Sequence, residues 1–390
     1  MPRLRWLLAL LLGLLASRLE AQTRPYLSRT FHWENDLQLS DKSYTNGLRY
    51  SWLLDAGPAW EHRARHNWFW RPLLLGMQPC PSNPEDDASG CYRIRTGIAY
   101  GQNFYTPENL ASTRYIAEDR PYAGFIYLGR VFEASRGKFV HEIEYDLGLV
   151  GPLALGESVQ KGWHQIVGAV HPEGWDHQIP NSPAVQARYR IHYRLLEVGG
   201  RRGEEGIPLT RNFDAVPLVE TVLGTPITHG AVGATVRLGL NVPAGFSSRI
   251  APTLLKARTA SAIRSGGSPT ADEEREWERL ALQIRQEADR PRDHPPPYYL
   301  FVSGRAVGVV HNAFLEGTLL RDSPHSPPME RSYLEYEGGA VVRLPWIGRA
   351  QSGAPRLTLR GPDIAVRFVA RGPEFEGADW HHFWAASLTF

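Results

Sequence analysis

Residues 139–149 have the sequence FVHEIEYDLGL, in which apolar and polar side chains alternate with a period of two. Apart from His141, the odd positions are apolar or aromatic, whereas Glu142, Glu144 and Asp146 occupy even positions. Successive side chains of a β-strand point to opposite faces, so this stretch predicts a strand with one apolar and one charged face. The same pattern recurs in residues 185–195 and 232–240.

These strands favour a membrane barrel over a soluble sandwich, although a sandwich can also show alternation. They are long enough to cross a membrane when tilted, and their many charges suit a polar lumen. Trp384, Ala386 and Leu388 share a face before the terminal Phe390, which resembles the assembly signal of outer-membrane barrels. We therefore expect an all-β protein that meets the barrel-assembly machinery during its biogenesis.

The beginning of the chain predicts export. Arg3 and Arg5 precede an apolar run, residues 6–16, that is too short to span a bilayer as a helix. We expect residues 1–21 to be a cleaved signal peptide and residues 22–390 to form the barrel in the outer membrane of a Gram-negative bacterium. No later stretch has the ~20 consecutive apolar residues of a transmembrane helix.

Composition supports this interpretation. The 12 Trp and 16 Tyr suit membrane interfaces, where one end of the ring stays wet. The net charge of +2 gives no indication of nucleic-acid binding. Cys80 and Cys91 are close in sequence, so in an oxidising compartment they predict a structural disulfide.

Twelve strands are predicted, an even number as single-chain bacterial barrels require. The predicted ranges are 26–36, 44–54, 94–104, 122–134, 138–150, 183–196, 213–224, 229–241, 298–320, 331–344, 355–370 and 380–390. Odd strands would run outward, so the acidic face of the fifth strand adjoins Arg188, Arg190 and Arg194 of the sixth and predicts ion pairs in the lumen. Segments 55–93 and 242–297 would be periplasmic insertions, the second with a helix over 271–290.

The polar groups at the outer strand ends suggest where chemistry would occur. A short helix is predicted over residues 153–168, with Gln160 and His164 on one face. Histidine suits proton transfer from water near neutral pH. The chain has no Gly-x-Ser-x-Gly motif, and a hard cation held by oxygen ligands could instead stabilise an oxyanion.

Asn35, Asp36 and Thr45 flank the first hairpin and are candidate ligands for such a cation. Strand parity places Asp36 and Thr45 on one side and Asn35 on the other. Each signal also has a structural explanation, since Asn-Asp before a turn is common turn chemistry and a single loop histidine is usually structural. Residue types and periodicity alone therefore favour a non-catalytic barrel.

Several short motifs in order resemble a known family, the outer-membrane lipid A 3′-O-deacylases. The motifs are Glu34-Asn35-Asp36, Tyr44-Thr45-Asn46-Gly47, Tyr105-Thr106-Pro107, Asp119 to Gly124, Gly148 to Pro152, Gln160 with His164, Gly174-Trp175-Asp176 with Gln178, Gly233 to Asn241 and Glu374-Phe375. The resemblance implies a twelve-stranded antiparallel barrel with its active site between an extracellular loop helix and the barrel wall.

By this resemblance, His164 activates water and Ca²⁺ stabilises the oxyanion when the ester of the 3′ acyloxyacyl chain is hydrolysed. Asn35, Asp36 and Thr45 would hold the calcium region or orient catalytic groups, and Asp36 is the expected calcium carboxylate. The sequence departs from the family pattern at Val170, where a functional glutamate is expected six residues after the histidine. Glu173 or Asp176 would have to replace it.

The sequence is compatible with three functions. The first is a calcium-dependent lipid A deacylase acting on lipopolysaccharide, with Gln160 at the substrate and with Arg114 and Arg120 contacting lipid A phosphates. The second is an outer-membrane phospholipase. The third is a non-catalytic structural or channel barrel.

Overall fold

The computed structural model describes residues 27–35, 43–55, 73–79, 91–199, 210–243, 298–319, 327–344 and 362–389. Twelve long antiparallel strands dominate it. They are β1 (Leu27–Asn35), β2 (Ser43–Asp55), β3 (Arg93–Thr106), β4 (Ala123–Arg136), β5 (Phe139–Val150), β6 (Ser182–Tyr193), β7 (Thr210–Gly224), β8 (Ile227–Pro243), β9 (Tyr298–Asn312), β10 (Ser332–Arg343), β11 (Asp363–Arg371) and β12 (His381–Thr389).

The sheet closes on itself, which confirms the predicted barrel. Each strand pairs with its sequence neighbours, and β1 pairs with β12. β6 pairs with β7, and the short strand Leu196–Val198 pairs with β7 below that contact. A closed sheet leaves no unpaired edge, so its backbone groups can be satisfied where water is absent. We call the end that carries the β5–β6 loop the upper rim.

Two helical elements follow strand ends at the upper rim. After β5, a 3-10 turn (Pro152–Ala154) leads into helix α1 (Gly156–Val167), which confirms the predicted loop helix. After β9 comes the one-turn helix α2 (Ala313–Glu316), so the strand predicted over 298–320 is wrong beyond Asn312. The Asn312 side chain accepts a hydrogen bond from the Phe314 N–H at 3.0 Å and caps α2.

Some predictions fall outside the described residues. These are the signal peptide over residues 1–21, the helix over 271–290, the terminal Phe390, and most of the insertions 55–93 and 242–297. No helix in the described ranges is long and apolar enough to cross a membrane.

The outer wall is apolar and exposed, whereas the lumen side is polar and buried. In β5, Leu147 and Leu149 are exposed on the outer face, while Glu144 and Asp146 are buried on the lumen face. Other exposed residues of the outer face are Ile98, Leu128, Val185, Leu223, Val232, Leu238, Leu300 and Val302. An apolar outer face with a polar interior is the arrangement that lipid around a barrel requires.

Cross-strand ion pairs fill the middle of the lumen, as predicted for β5 and β6. Glu142 accepts from Arg190 at 3.2 Å, and Glu144 accepts from Arg188 at 3.3 Å. Further pairs join Glu144 to Arg49, Asp214 to Arg237, Glu335 to Arg305 and Arg371, and Glu34 to Arg367. Arg194 pairs instead with Glu197, three residues later, at 3.1 Å. Charges removed from water need such partners.

Aromatic side chains fill the upper lumen. Helix α2 inserts Phe314, whose ring stacks on Tyr105 with a centroid distance of 4.2 Å and lies 5.9 Å from Phe125. Phe383 of β12 packs beside Tyr105 from the other side. The lumen of the described barrel is therefore packed with side chains at this level.

The described part of the first predicted insertion packs on the outer wall. Leu74 contacts Ile94, Phe132 and Ile143, and the Tyr145 hydroxyl donates to the Leu73 carbonyl at 3.0 Å. Cys91, which follows this insertion, is disulfide-bonded, in agreement with the predicted staple. The only other cysteine of the chain, Cys80, lies outside the described residues.

Glu220 offers a direct test of the lumen network. Its carboxylate is 2% exposed and accepts from Arg190, from Arg305 at 3.0 Å and from His229 at 3.2 Å. Glu220→Gln should lower the free energy of unfolding by about 3–5 kcal/mol, because it leaves two buried guanidinium groups short of a counter-charge. The temperature at which the folded band disappears on heat-modifiable gels would measure the loss.

Glu118→Gln, at an exposed loop position, is the matched control and should leave that temperature unchanged. Equal thermal stability of Glu220→Gln and the wild type would contradict the role assigned to the network.

Candidate active site

Helix α1 has local reasons to form where it does. It begins after Leu155, whose φ of 60° is left-handed, and it ends at Gly168 with a φ of 74°, the usual helix-terminating conformation. Glu157 and Lys161 are four residues apart and pair at 2.7 Å on its exposed side. These features determine where the helix of three turns begins and ends after β5.

One face of α1 is buried against the outer wall of the barrel. Gly156, Gln160 and His164 form this face at a spacing of four residues. The neighbouring Trp163 meets Trp33 of β1 with ring centroids 6.4 Å apart. Trp33 belongs to the outer face of the wall, since the alternate β1 residues are buried in the lumen. The interface between α1 and the wall therefore lies outside the lumen, and we call this interface the crevice.

Close approach of helix and wall depends on Gly156. A Cβ added there would lie 2.5 Å from the ring of Trp175 and 3.1 Å from the ring of Phe104. Gln102, on the same face of β3 as Phe104, donates to the Ala154 carbonyl at 2.6 Å and ties the preceding turn to the wall. Any side chain at position 156 would push α1 away.

His164 is the titratable residue in this crevice. It is 1% exposed, and its Nδ1 contacts the carbonyl oxygen of Val170. A carbonyl oxygen can only accept a hydrogen bond, so Nδ1 carries the proton and neutral His164 has its lone pair on Nε2. The imidazole is thereby oriented to accept a proton at Nε2.

Gln160 lies one helical turn before His164 on the same face. Its Oε1 accepts a hydrogen bond from the indole Nε1 of Trp175 at 2.9 Å. Trp175 belongs to a 3-10 turn (Trp175–His177), and its ring lies 4.8 Å from that of Tyr122. The loop after α1 thus closes over the helix and holds the Gln160 side chain.

That loop is fastened to the rim by backbone hydrogen bonds. The Glu173 N–H donates to Leu110 O at 2.9 Å, and the Ile179 N–H donates to Tyr122 O at 2.9 Å. Asn181 Oδ1 accepts from the Leu153 N–H at 2.8 Å. The loops after β3 and β5 therefore form one packed layer above the crevice.

The first hairpin contributes Asn35, which is buried at the upper end of β1 opposite Asn46. Asn35 is on the same face of β1 as Trp33, so it borders the crevice under α1. Thr45 lies at a bulge, because the β2–β3 register shifts between Tyr44 and Asn46, and strict alternation does not apply there. Asp36 and the side chain of Thr45 lie outside the described residues, and their roles stay predictions.

The predicted replacements for the missing glutamate are solvent-exposed. The side chains of Val170, Glu173 and Asp176 are all exposed, and Glu173 Oε1 lies 3.3 Å from His171 Nδ1. In the described ranges, no group of three or more His, Cys, Asp or Glu is arranged to hold a metal ion. The assignment of Glu173 as a metal ligand stays a prediction.

The two predicted phosphate-binding arginines occupy different environments. Arg114 is exposed in the β3–β4 loop. Arg120 is 1% exposed, donates to Glu374 at 3.0 Å and lies over the Tyr105 ring at 5.2 Å. Because its charge is neutralised by Glu374, Arg120 holds the rim loops together, and its buried guanidinium group leaves little surface for a phosphate to contact.

Two features of this site are not predicted by the sequence patterns. The Gly-Trp-Asp motif does not by itself indicate that Trp175 is buried and bonded to Gln160, although an indole N–H that is buried usually finds an acceptor. The contribution of position 170 is made by its main-chain carbonyl, which no side-chain pattern can indicate.

The closed barrel has an apolar outer face and a helix packed on the outer side of its wall, and these features define a membrane β-barrel with a candidate site outside its lumen. A family model described as "Outer membrane protein LpxR" matches residues 6–390. The chain belongs to this family, which confirms the resemblance found in its sequence and supports an outer-membrane location.

Comparison with solved structures agrees on the fold. The chain is similar to LpxR from Salmonella typhimurium, with a TM-score of 0.60 and 17% identity over 93% of this chain and 99% of that one. The β domain of the Bordetella autotransporter BrkA is much less similar, with a TM-score of 0.34 and 10% identity over 93% and 96% of the two chains. No curated protein sequence matches the chain.

The two glycines of α1 provide a matched test of its seating on the wall. Gly156→Ala should destabilise the packed loop by ~1–3 kcal/mol through overpacking against Trp175. Gly162→Ala meets nothing within 4 Å and should stabilise the helix by up to ~1 kcal/mol. Limited proteolysis of the β5–β6 loop would measure both effects, and faster cleavage of Gly162→Ala than of Gly156→Ala would contradict this seating.

The Arg120–Glu374 pair predicts a pH effect at the rim. Burial alone would raise the pKa of the Glu374 carboxyl, but the charges of Arg120 and Arg371 outweigh burial and hold it below the ordinary value of 4.5. The stabilisation is therefore present above pH 4.5 and is lost as pH falls through the lowered pKa.

Glu374→Gln should accordingly be less stable than the wild type at pH 7, and the difference should shrink as the pH falls below 4.5 and through the lowered pKa. Thermal midpoints of the folded barrel at pH 7 and at a series of lower pH values would check this. Glu376→Gln, at an exposed position in the same loop, should show no such pH-dependent difference.

Proposed function

We propose that this protein is an outer-membrane lipid A deacylase that hydrolyses the ester of the 3′ acyloxyacyl chain, with His164 as general base. The observation that carries the proposal is the burial of His164 on the face of α1 that packs against the lipid-facing side of the wall. A polar, oriented base at that position suits a substrate that is itself part of the outer leaflet. Membership of the LpxR family supports the same substrate class.

The proposed reaction follows from the imidazole orientation. His164 Nε2 takes a proton from water, whose oxygen adds to the ester carbonyl carbon. Collapse of the tetrahedral intermediate breaks the bond to the sugar oxygen, which receives the proton from the imidazolium. The products are the free acyloxyacyl acid and a 3′ hydroxyl on the glucosamine.

Calcium dependence is part of the proposal. When bound, Ca²⁺ would stabilise negative charge on the carbonyl oxygen. The buried Asn35 amide borders the crevice and offers the kind of oxygen donor that calcium accepts, and Asp36 and Thr45 are its predicted companions. Glu173 would become a calcium ligand only if its exposed side chain turned inward.

The substrate's phosphates need a cationic partner near the crevice. Arg114 is exposed in a loop that contacts the one closing over α1, because His177 Nε2 lies 3.2 Å from the Thr113 carbonyl oxygen. A guanidinium group there can bind phosphate in bidentate fashion. Of the two arginines predicted to bind phosphate, only Arg114 is exposed.

The test is mass spectrometry of lipid A from cells that express the protein. Wild-type protein with calcium should remove the mass of the 3′ acyloxyacyl group. His164→Ala should reduce the rate by roughly 100- to 10,000-fold, the usual contribution of a general base. Chelation of calcium should suppress the wild-type reaction.

Gln165→Ala is the matched control, since Gln165 adjoins His164 in sequence but is exposed on the other side of α1. It should retain activity. Release of fatty acid from phospholipid with lipid A unchanged would identify a phospholipase instead. No product from either lipid, with the barrel folded, would leave a non-catalytic barrel.

A further inference from the structure

The hydrogen bond between Trp175 and Gln160 determines which way the Gln160 amide points. An indole N–H can only donate, and Oε1 is the only acceptor of a primary amide. The 2.9 Å contact therefore assigns Oε1 to Trp175 and directs Nε2, with its two N–H groups, elsewhere. The amide has one orientation compatible with this contact.

Gln160 Nε2 is buried and has no hydrogen-bond partner among the residues that the structure describes. The whole side chain is 3% exposed, so bulk solvent does not supply the missing acceptor. Buried donors of this kind are uncommon and costly, and each calls for an explanation. A ligand oxygen that arrives with the substrate would supply the missing acceptor.

The neighbouring groups indicate which oxygen it is. Gln160 lies one turn from His164, and both side chains are on the buried face of α1. During ester hydrolysis, the carbonyl oxygen gains negative charge as water adds to the carbon. A fixed amide donor stabilises that charge without reorganising first.

Trp175 is packed tightly enough to hold the Gln160 amide in one orientation. Its indole is 1% exposed and packs against Tyr122, whose hydroxyl donates to Leu110 O at 3.0 Å. The ring also packs against Gly156, where an added Cβ would lie 2.5 Å from it, so it has no room to shift towards α1. Packing against Tyr122 and α1 therefore holds the indole N–H in place beside Gln160.

We propose that Trp175 is a positioning residue that fixes the Gln160 amide, so that Gln160 Nε2 donates to the scissile carbonyl oxygen in the transition state. This inference rests on the proposed deacylase function. It adds a protein donor to the oxyanion site, independent of any metal ion.

The test uses single and double variants of the full mature chain in the lipid A assay. Gln160→Ala should lower kcat by about 100-fold, as the loss of one oxyanion donor does. Trp175→Phe keeps most of the ring but lacks the N–H, and should lower kcat by roughly 10-fold with little change in KM. Gln160→Glu retains an acceptor for Trp175 but has no N–H donor, so it should lose as much as Gln160→Ala.

The decisive comparison is Trp175→Phe combined with Gln160→Ala. If Trp175 acts through Gln160, the double variant should be no slower than Gln160→Ala alone, within about 2-fold. Losses that multiply would overturn the proposal, because they would mean that the indole N–H acts independently of the amide.

A measurement without substrate separates this inference from the proposed function. In ¹⁵N-tryptophan-labelled protein, the indole N–H signal absent from Trp175→Phe should exchange slowly with D₂O in the wild type and in Gln160→Glu, and faster in Gln160→Ala. Slow exchange in all three would overturn the assigned contact. Wild-type protein inactive on lipid A, yet with the expected exchange pattern, would refute the deacylase and its oxyanion role while leaving the contact itself intact.

Discussion

Closure of the sheet by the β6–β7 and β1–β12 pairings is the constraint on which the rest of the molecule depends. In lipid, a strand edge would leave N–H and C=O groups without partners, so the sheet has to return to its first strand. Closure then divides every strand into an outward and an inward face. Apolar residues such as Leu147 and Leu238 take the outward face, and charges such as Glu144 are forced together inside.

The site on the wall is an exception to this division. Gln102 and Phe104 are on the outward face, yet both are buried, because Ala154 and Gly156 at the start of the helical segment lie against them. Covering part of the outer face buries polar side chains such as Gln102 and His164 outside the lumen. Gly156 makes this possible, since it lets the helix approach to within contact of the wall.

Local patterns predicted the barrel and part of the site, while contacts between distant segments escaped them. Alternation within β5 and β6 was sufficient to predict their lumen ion pairs, and the spacing of Gln160 and His164 was sufficient to place them together. The end of β9 was missed because one capping residue, Asn312, interrupts a long apolar run. The burial of Arg120 could not be foreseen, since its partner Glu374 lies 254 residues later. The contribution of Val170 also could not be predicted from its side chain, because its main-chain carbonyl oxygen is the group that orients His164.

The crevice lies on the outside of a barrel whose upper lumen is filled with side chains, so a ligand from the bilayer would approach it along the wall. Molecules that reach it along the wall diffuse in two dimensions, within the plane of one leaflet. The quantity that governs their arrival is then the mole fraction of the lipid in that leaflet, and dilution of the surrounding solution does not alter it. For the proposed lipid substrate, the composition of the membrane would then set how often the crevice is occupied.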